Sequence, residues 1–141
     1  MKRCGLLGEK LGHSYSPAIH AELADYDYRL YEVAPEKLGE FLKSGEFDGL
    51  NVTIPYKEQV IKYLDAISPE ANAIGAVNVI RVTHKDRKTI LKGFNSDVIG
   101  FTKSIEPMLE PCHKKALILG TGGASKAINF GLKSLGLETL F

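Results

Sequence analysis

The sequence predicts an α/β fold: a three-layer domain around a mostly parallel sheet, followed by the start of a second α/β unit. Three observations predict it. Short apolar runs alternate with segments of helical periodicity along the 141 residues, the pattern that crossover-connected strands produce. One pair of strand-like runs, residues 77–83 and 89–94, is instead joined by a short polar stretch, which marks a hairpin. Towards the C-terminal end an apolar run leads into a glycine-rich turn and a new helix.

Each element has a local reason. Residues 3–8 are a short apolar strand ending in glycine, and residues 17–25 a helix with Ile19, His20 and Leu23 on one face. Ser16 ahead of Pro17 is expected to be its N-cap. Residues 28–33 alternate as a strand, residues 35–44 are helical with Pro35 at the start, and residues 50–54 are a strand. Val60, Ile61 and Leu64 give residues 56–66 the helical period, and Ser68 caps a further turn over residues 68–74. The hairpin follows, with the expected polar tip His84-Lys85-Asp86-Arg87-Lys88. Residues 97–109 are a helix with Asp97 as its expected N-cap, closed by Pro107 and Pro111. Residues 115–119 are a strand, residues 124–135 a helix ended by Gly136, and residues 138–141 begin another strand.

The domain break is expected near that long helix: residues 1–100 as the first domain, 101–112 as a connecting helix and linker, 113–141 as the opening of the second. A β-α-β unit this small cannot cover both faces of its sheet, so the second unit is expected to be truncated. Its open edge predicts self-association as a homodimer.

Composition narrows the function. The chain is 44% hydrophobic and 25% charged with a net charge of +1, so a packed core is expected and disorder is not. Acidic and basic residues are interleaved without a basic stripe, which argues against nucleic acid and anionic membrane as partners. No apolar run approaches the roughly 18 residues of a membrane span. Cys4 and Cys112 lack the spacing of a zinc site, so no metal is expected; both read as reduced thiols of a cytoplasmic protein.

Two kinds of segment carry chemistry. Leu119-Gly120-Thr121-Gly122-Gly123-Ala124-Ser125 follows a strand and opens a helix. Glycine allows a sharp turn and close approach of the backbone to a pyrophosphate, and the helix N-terminus offers unpaired N–H groups. Gly120, Gly122, Gly123 and Ala124 are therefore candidate cofactor-binding residues, at the start of a Rossmann-type dinucleotide-binding domain. The residue that reads the ribose would lie about 20 positions on, so these residues do not separate NAD from NADP.

The second kind is polar groups where local structure does not require them. Ser14 and Ser16 stand at a helix N-terminus, which suits a carboxylate. Asn51 and Thr53 point the same way on a strand. Lys57 falls in the first turn of a helix, where the macrodipole disfavours a cation. A local rule broken without visible compensation marks a candidate functional position. Asn78 enters an apolar strand, where Asn is depleted. Asp97 can present an oxygen to a lysine, and a cation with a carboxylate are the pieces for moving a proton to or from a hydroxyl.

Together and in this order, Gly12-His13-Ser14-Tyr15-Ser16-Pro17-Ala18-Ile19-His20, Asn51-Val52-Thr53-Ile54-Pro55-Tyr56-Lys57, Ile74-Gly75-Ala76-Val77-Asn78, Asn95-Ser96-Asp97 with Gly100-Phe101, and Gly120 to Ala124 resemble the shikimate dehydrogenase family. The asparagine-to-lysine stretch is the most specific. Ser96 stands where the family more often has Thr, and Val79 where Thr often follows the Asn. The resemblance implies a substrate-binding domain followed by the start of the NADP-binding domain, about half of a typical member. It implies reversible reduction of 3-dehydroshikimate to shikimate with NADPH, a step towards chorismate and the aromatic amino acids. Ser14 and Ser16 would hold the substrate carboxylate. Thr53, Asn78 and Asp97 would bond ring hydroxyls. Lys57 would be the catalytic lysine with Asp97 beside it, and the glycine turn would take the cofactor pyrophosphate. The lysine could move the proton itself or serve as a charged donor to the developing alkoxide. The cofactor 2′-phosphate motif, the nicotinamide-side loops, a later substrate-binding Gln and the returning C-terminal helices lie outside these residues. Two alternatives are an NAD-dependent quinate/shikimate dehydrogenase and a non-catalytic binding module for a cyclic hydroxy acid.

Overall fold

The computed structural model describes residues 1–86 and 88–141. Among the described residues six strands form one sheet in the order β2-β1-β3-β5-β6-β4, and two form a second, β7-β8. The strands are β1 Arg3–Gly8, β2 Asp27–Glu32, β3 Gly49–Val52, β4 Ala66–Ile67, β5 Val79–Lys85, β6 Lys88–Phe94, β7 Lys115–Leu117 and β8 Glu138–Leu140. In the first sheet β1 pairs in parallel with β2 and β3, and β4 with β6; β5 is antiparallel to β3 and β6. The fold is α/β with a mostly parallel sheet, the hairpin supplying the antiparallel pairs. The ladder β7-β8 is parallel, as a β-α-β crossover requires.

The helices are α1 Ser16–Leu23, α2 Leu38–Ser44, α3 Tyr56–Gln59, α4 Pro69–Ile74, α5 Asp97–Ile105 and α6 Gly123–Ser134. The alternation of strands sends Leu7, Leu50, Val52 and Ile80 to one face. There they pack with Leu38 and Leu42 of α2, Phe47, and Tyr56 and Val60 of the α3 region. On the opposite face α1 lies against β2, beside a hollow of about 380 Å3 that Tyr28, Asn51, Val79, Arg81 and Phe94 help to line. A smaller core of Ile74, Ala76, Val98 and Ala127 ties α4 and α5 to α6. Ile118, Leu132 and Leu137 pack with Phe101 and Ile105, so α5 also closes the second unit.

Several local expectations give way to tertiary contacts. The helix over residues 56–66 is one turn of α3 followed by a 3-10 turn, Val60–Tyr63. The chain then bends onto β6 as β4, with Asp65 N–H donating to the Leu91 carbonyl and Ser68 N–H to that of Gly93. Gly93 permits this approach, since a Cβ there would stand 2.5 Å from Leu64 and 2.9 Å from Val77. The hairpin strands are longer than expected: His84 pairs with Thr89 and Lys85 with Lys88. Arg87 of the expected tip lies outside the described residues. The face of α1 that carries Ile19, His20 and Leu23 is not buried: Ile19 is 57% and Leu23 69% exposed, while His20 packs against Tyr28. Ser68 does cap α4, accepting from Ala71 N–H at 3.1 Å.

Both cysteines are free thiols. Burial pushes the Cys4 thiol up, with the Asp48 carboxylate adding to it, whereas Cys112 is exposed. Since the thiolate is the nucleophile, iodoacetamide at about pH 8 should label Cys112 at least about 10-fold faster than Cys4. Equal rates by peptide mass spectrometry would contradict this burial.

Candidate active site

The site begins where β3 ends. Thr53 N–H donates to the Leu7 carbonyl and Tyr56 N–H to that of Thr53, which turns the chain from β3 into α3 through the cis peptide Ile54–Pro55. Tyr56 is fully buried and its hydroxyl donates to the Val33 carbonyl, anchoring α3 in the main core. The next residue, Lys57, is held from the other side because Val77 N–H donates to its carbonyl at 2.7 Å. Core packing and one backbone bond thus fix the direction in which the lysine leaves the helix.

Lys57 Nζ donates to Asp97 Oδ2 at 2.6 Å, with the side chains 16% and 31% exposed. The other oxygen, Oδ1, accepts from Asn78 Nδ2 at 2.7 Å. Asn78 is itself fixed, since its Oδ1 accepts from Ser96 N–H at 2.7 Å and it sits buried between β3 and β6. This bears on the expected N-caps. Asp97 is the first residue of α5 and does not cap it; buried Asn95 accepts from Val98 N–H and donates to the Ala76 carbonyl. With the helix end served by Asn95, both carboxylate oxygens of Asp97 are turned to Lys57 and Asn78. Ser16 likewise is not a cap: it is the first residue of α1, its N–H donating to Ser14 Oγ at 3.2 Å.

The glycine turn faces this group. Gly120 has φ 136, a conformation glycine adopts without strain. A Cβ at Gly120 or Gly122 would meet nothing within 4 Å, so the turn is open on that side. Gly123, the first residue of α6, is the opposite case: a Cβ there would stand 2.8 Å from Lys57 Cβ. The helix N-terminus therefore abuts the stem of the lysine. A cavity of about 480 Å3 lies between them, lined by Thr53, Lys57, Glu58, Gly120, Gly122, Gly123 and Ala124. The helix α6 has no side-chain cap, so its first N–H groups are available. The open turn and the uncapped helix fit a dinucleotide pyrophosphate.

A second hollow of about 500 Å3 shares Thr53, Ile54 and Pro55 with the first and reaches Leu11, His13 and Ser14. Thus Thr53, Lys57, Asn78, Asp97 and the glycine turn stand together, and Ser14 joins them through the adjoining hollow. Ser16 lines neither hollow and lies beside Tyr28 instead. Sequence reasoning missed Asn95, which frees Asp97, and the ion pair between Glu58 and Lys126 of α6, 2.6 Å across the two units. The pair offers no sequence signal, because its partners are 68 positions apart. No group of three or more metal-ligating side chains occurs among the described residues.

Comparisons with known proteins show the family. Residues 6–80 match the family of the shikimate dehydrogenase substrate-binding domain. The chain is 43% identical over 145 residues to a shikimate dehydrogenase (NADP(+)) of Caldanaerobacter subterraneus, covering 96% of this chain and 50% of that one. A shikimate dehydrogenase structure from Peptoclostridium difficile superimposes with a TM-score of 0.87 at 40% identity, covering 98% of this chain and 54% of that one. One from Thermus thermophilus, in complex with NADP(H) and shikimate, gives 0.84 at 38% identity over 99% and 54%. The chain thus spans about half the length of the curated relatives it matches. From the substrate-binding match over more than half of its residues, the chain belongs to the shikimate dehydrogenase family.

Proposed function

We propose that the protein carrying this chain catalyses the NADP-dependent, reversible reduction of 3-dehydroshikimate to shikimate. Residues 1–100 would form its substrate domain, residues 101–112 the connection, and residues 113–141 the opening of its dinucleotide-binding domain. The observation that carries the reading is the Lys57–Asp97 pair, 2.6 Å apart, with a glycine turn pressed against the lysine stem. A proton-handling pair beside a phosphate cradle is what hydride transfer to a ketone needs.

When bound, NADPH supplies the hydride. The chain's residues do the rest. Ser14 and Ser16 bind the carboxylate, and Thr53, Asn78 and Asp97 orient the ring hydroxyls. Lys57 Nζ reaches the oxygen on the carbon that receives the hydride and donates a hydrogen bond or proton as negative charge develops there. Asp97 holds the lysine on that oxygen, and Asn78 holds Asp97. Gly120, Gly122, Gly123 and Ala124 would hold the pyrophosphate beside Lys57. The two free thiols accord with a reducing, cytoplasmic setting.

The test is formation of the reduced cofactor by the complete protein and by this chain, with shikimate and then quinate, using NADP and then NAD. The expected result is turnover of shikimate with NADP by the complete protein, and shikimate binding without turnover by the chain. A preference for quinate with NAD would replace this reading by the quinate one. Inactivity of the complete protein with both substrates would leave only a binding module. On its own the chain is expected to self-associate through the β7-β8 ladder, where Leu117, Leu140 and Phe141 are 65%, 49% and 64% exposed. A strictly monomeric mass by light scattering would refute that.

A further inference from the structure

The two units are held together mostly by apolar packing of α4 and α5 against α6 and its neighbours. Among the described residues a single hydrogen-bonded contact joins residues 1–100 to residues 113–141: Lys126 Nζ donates to Glu58 Oε2 at 2.6 Å. Glu58 follows Lys57 in α3 and lines the cavity between that lysine and the glycine turn. Lys126 lies in the first turn of α6, where its N–H donates to the Gly122 carbonyl. Ser125 Oγ donates to the same oxygen at 2.7 Å. Holding Lys126 therefore holds the turn. A cation in a first turn opposes the helix dipole, and α6 has no acidic residue of its own there. Glu58 supplies that acid from the other unit, 68 positions away.

We propose that Glu58 and Lys126 are a positioning pair for the cofactor: their ion pair holds the start of α6 against α3 and so sets the width of the cavity that receives the pyrophosphate. The proposal rests on the reading of the turn from Gly120 to Ala124 as the pyrophosphate site. Packing at this point does not set that width by itself. Gly123 limits how closely the units approach, since a Cβ there would already stand 2.8 Å from Lys57 Cβ. A contact of that kind resists closing, whereas an ion pair resists opening. Glu58 and Lys126 bond to each other and not to Lys57, Asp97 or Asn78, so the pair serves the cofactor and leaves the shikimate side alone. The Lys126 and Glu58 side chains are 41% and 43% exposed. That places the pair among solvent-screened ion pairs of modest strength, which weaken as salt rises.

The experiment is fluorescence titration of NADPH into the complete protein without substrate, for the unaltered protein, Glu58→Gln, Lys126→Met and the double variant. KM for shikimate is measured alongside. Each single variant should raise Kd for NADPH about 3–5-fold, the scale of one partly exposed ion pair. The double variant should bind no more weakly than either single one. KM for shikimate should change less than about 1.5-fold. Raising salt from about 0.05 to about 0.5 M should shrink the difference between the unaltered protein and Glu58→Gln; a difference indifferent to salt would contradict an ionic clasp. If Lys126→Met weakens NADPH binding while Glu58→Gln strengthens it, Lys126 only neutralises a carboxylate that repels the pyrophosphate, and the positioning role is overturned. Additive losses in the double variant, or an equal rise in KM for shikimate, would overturn it too. If the single variants bind NADPH as the unaltered protein does, the pair fails and the cofactor reading stands. If the unaltered protein does not bind NADPH, the cofactor reading falls and the proposal falls with it.

Discussion

Lys57→Ala in the complete enzyme should lower kcat by about 10²–10⁴-fold, the range for removing a positioned acid–base group. KM for shikimate should change far less. The lysine is one of several groups that would hold the ring, and the serine pair at the far end of the site would be untouched. Its exposure of 16% and its 2.6 Å bond to Asp97 leave the ammonium little freedom. Lys126 of α6 is engaged with Glu58 of α3 and so is not placed to substitute for it. An unchanged kcat in a stopped-flow or steady-state assay would remove Lys57 from the reaction.

Asp97→Ala should lower kcat by about 10²–10³-fold, and the double variant with Lys57→Ala should lose little beyond Lys57→Ala alone. Non-additivity follows from the geometry. On the proposed reading Asp97 would act on the reacting oxygen through Lys57, to which one of its oxygens is bonded, while the other is bonded to Asn78. Once the lysine is gone, the carboxylate would keep only its bond to a ring hydroxyl, which should be felt in KM and not in kcat. The helix α5 should survive the change, because Asn95 supplies the bond to its first turn; unfolding in urea should show at most a modest shift of midpoint. Additive losses in kcat would mean that Asp97 contacts the reacting atoms by an independent route.

How much of this was legible in the sequence depended on whether a residue's partner was local. The hairpin, the glycine turn and the Ser68 cap are set by neighbours within a few positions, and the structure has them. Lys57 could be singled out because a cation in a first turn opposes the helix dipole, but its compensation, Asp97, is 40 positions away. Ser16 and Asp97 carry good capping chemistry, yet Ser16 lies inside α1 and not ahead of it, and tertiary partners engage the Asp97 side chain in place of the helix end. The apolar pattern of Ile19 and Leu23 in α1 resembles a buried face; nothing in periodicity says that the opposing surface is only the edge of β2. The bend after Val60–Tyr63 was hidden because two residues of β4 are too few for alternation to register. The candidate site was legible as a set of residue types, and its connectivity through Asn78 and Asn95 was not.

The most direct measurement is a crystal structure of the complete protein with shikimate and NADP bound. The account predicts shikimate with its carboxylate on the Ser14 and Ser16 hydroxyls, the hydroxyl on its reacting carbon within about 3 Å of Lys57 Nζ, and the pyrophosphate on the turn from Gly120 to Ala124. Shikimate bound away from Lys57, or with its carboxylate on the lysine in place of the serines, would contradict it.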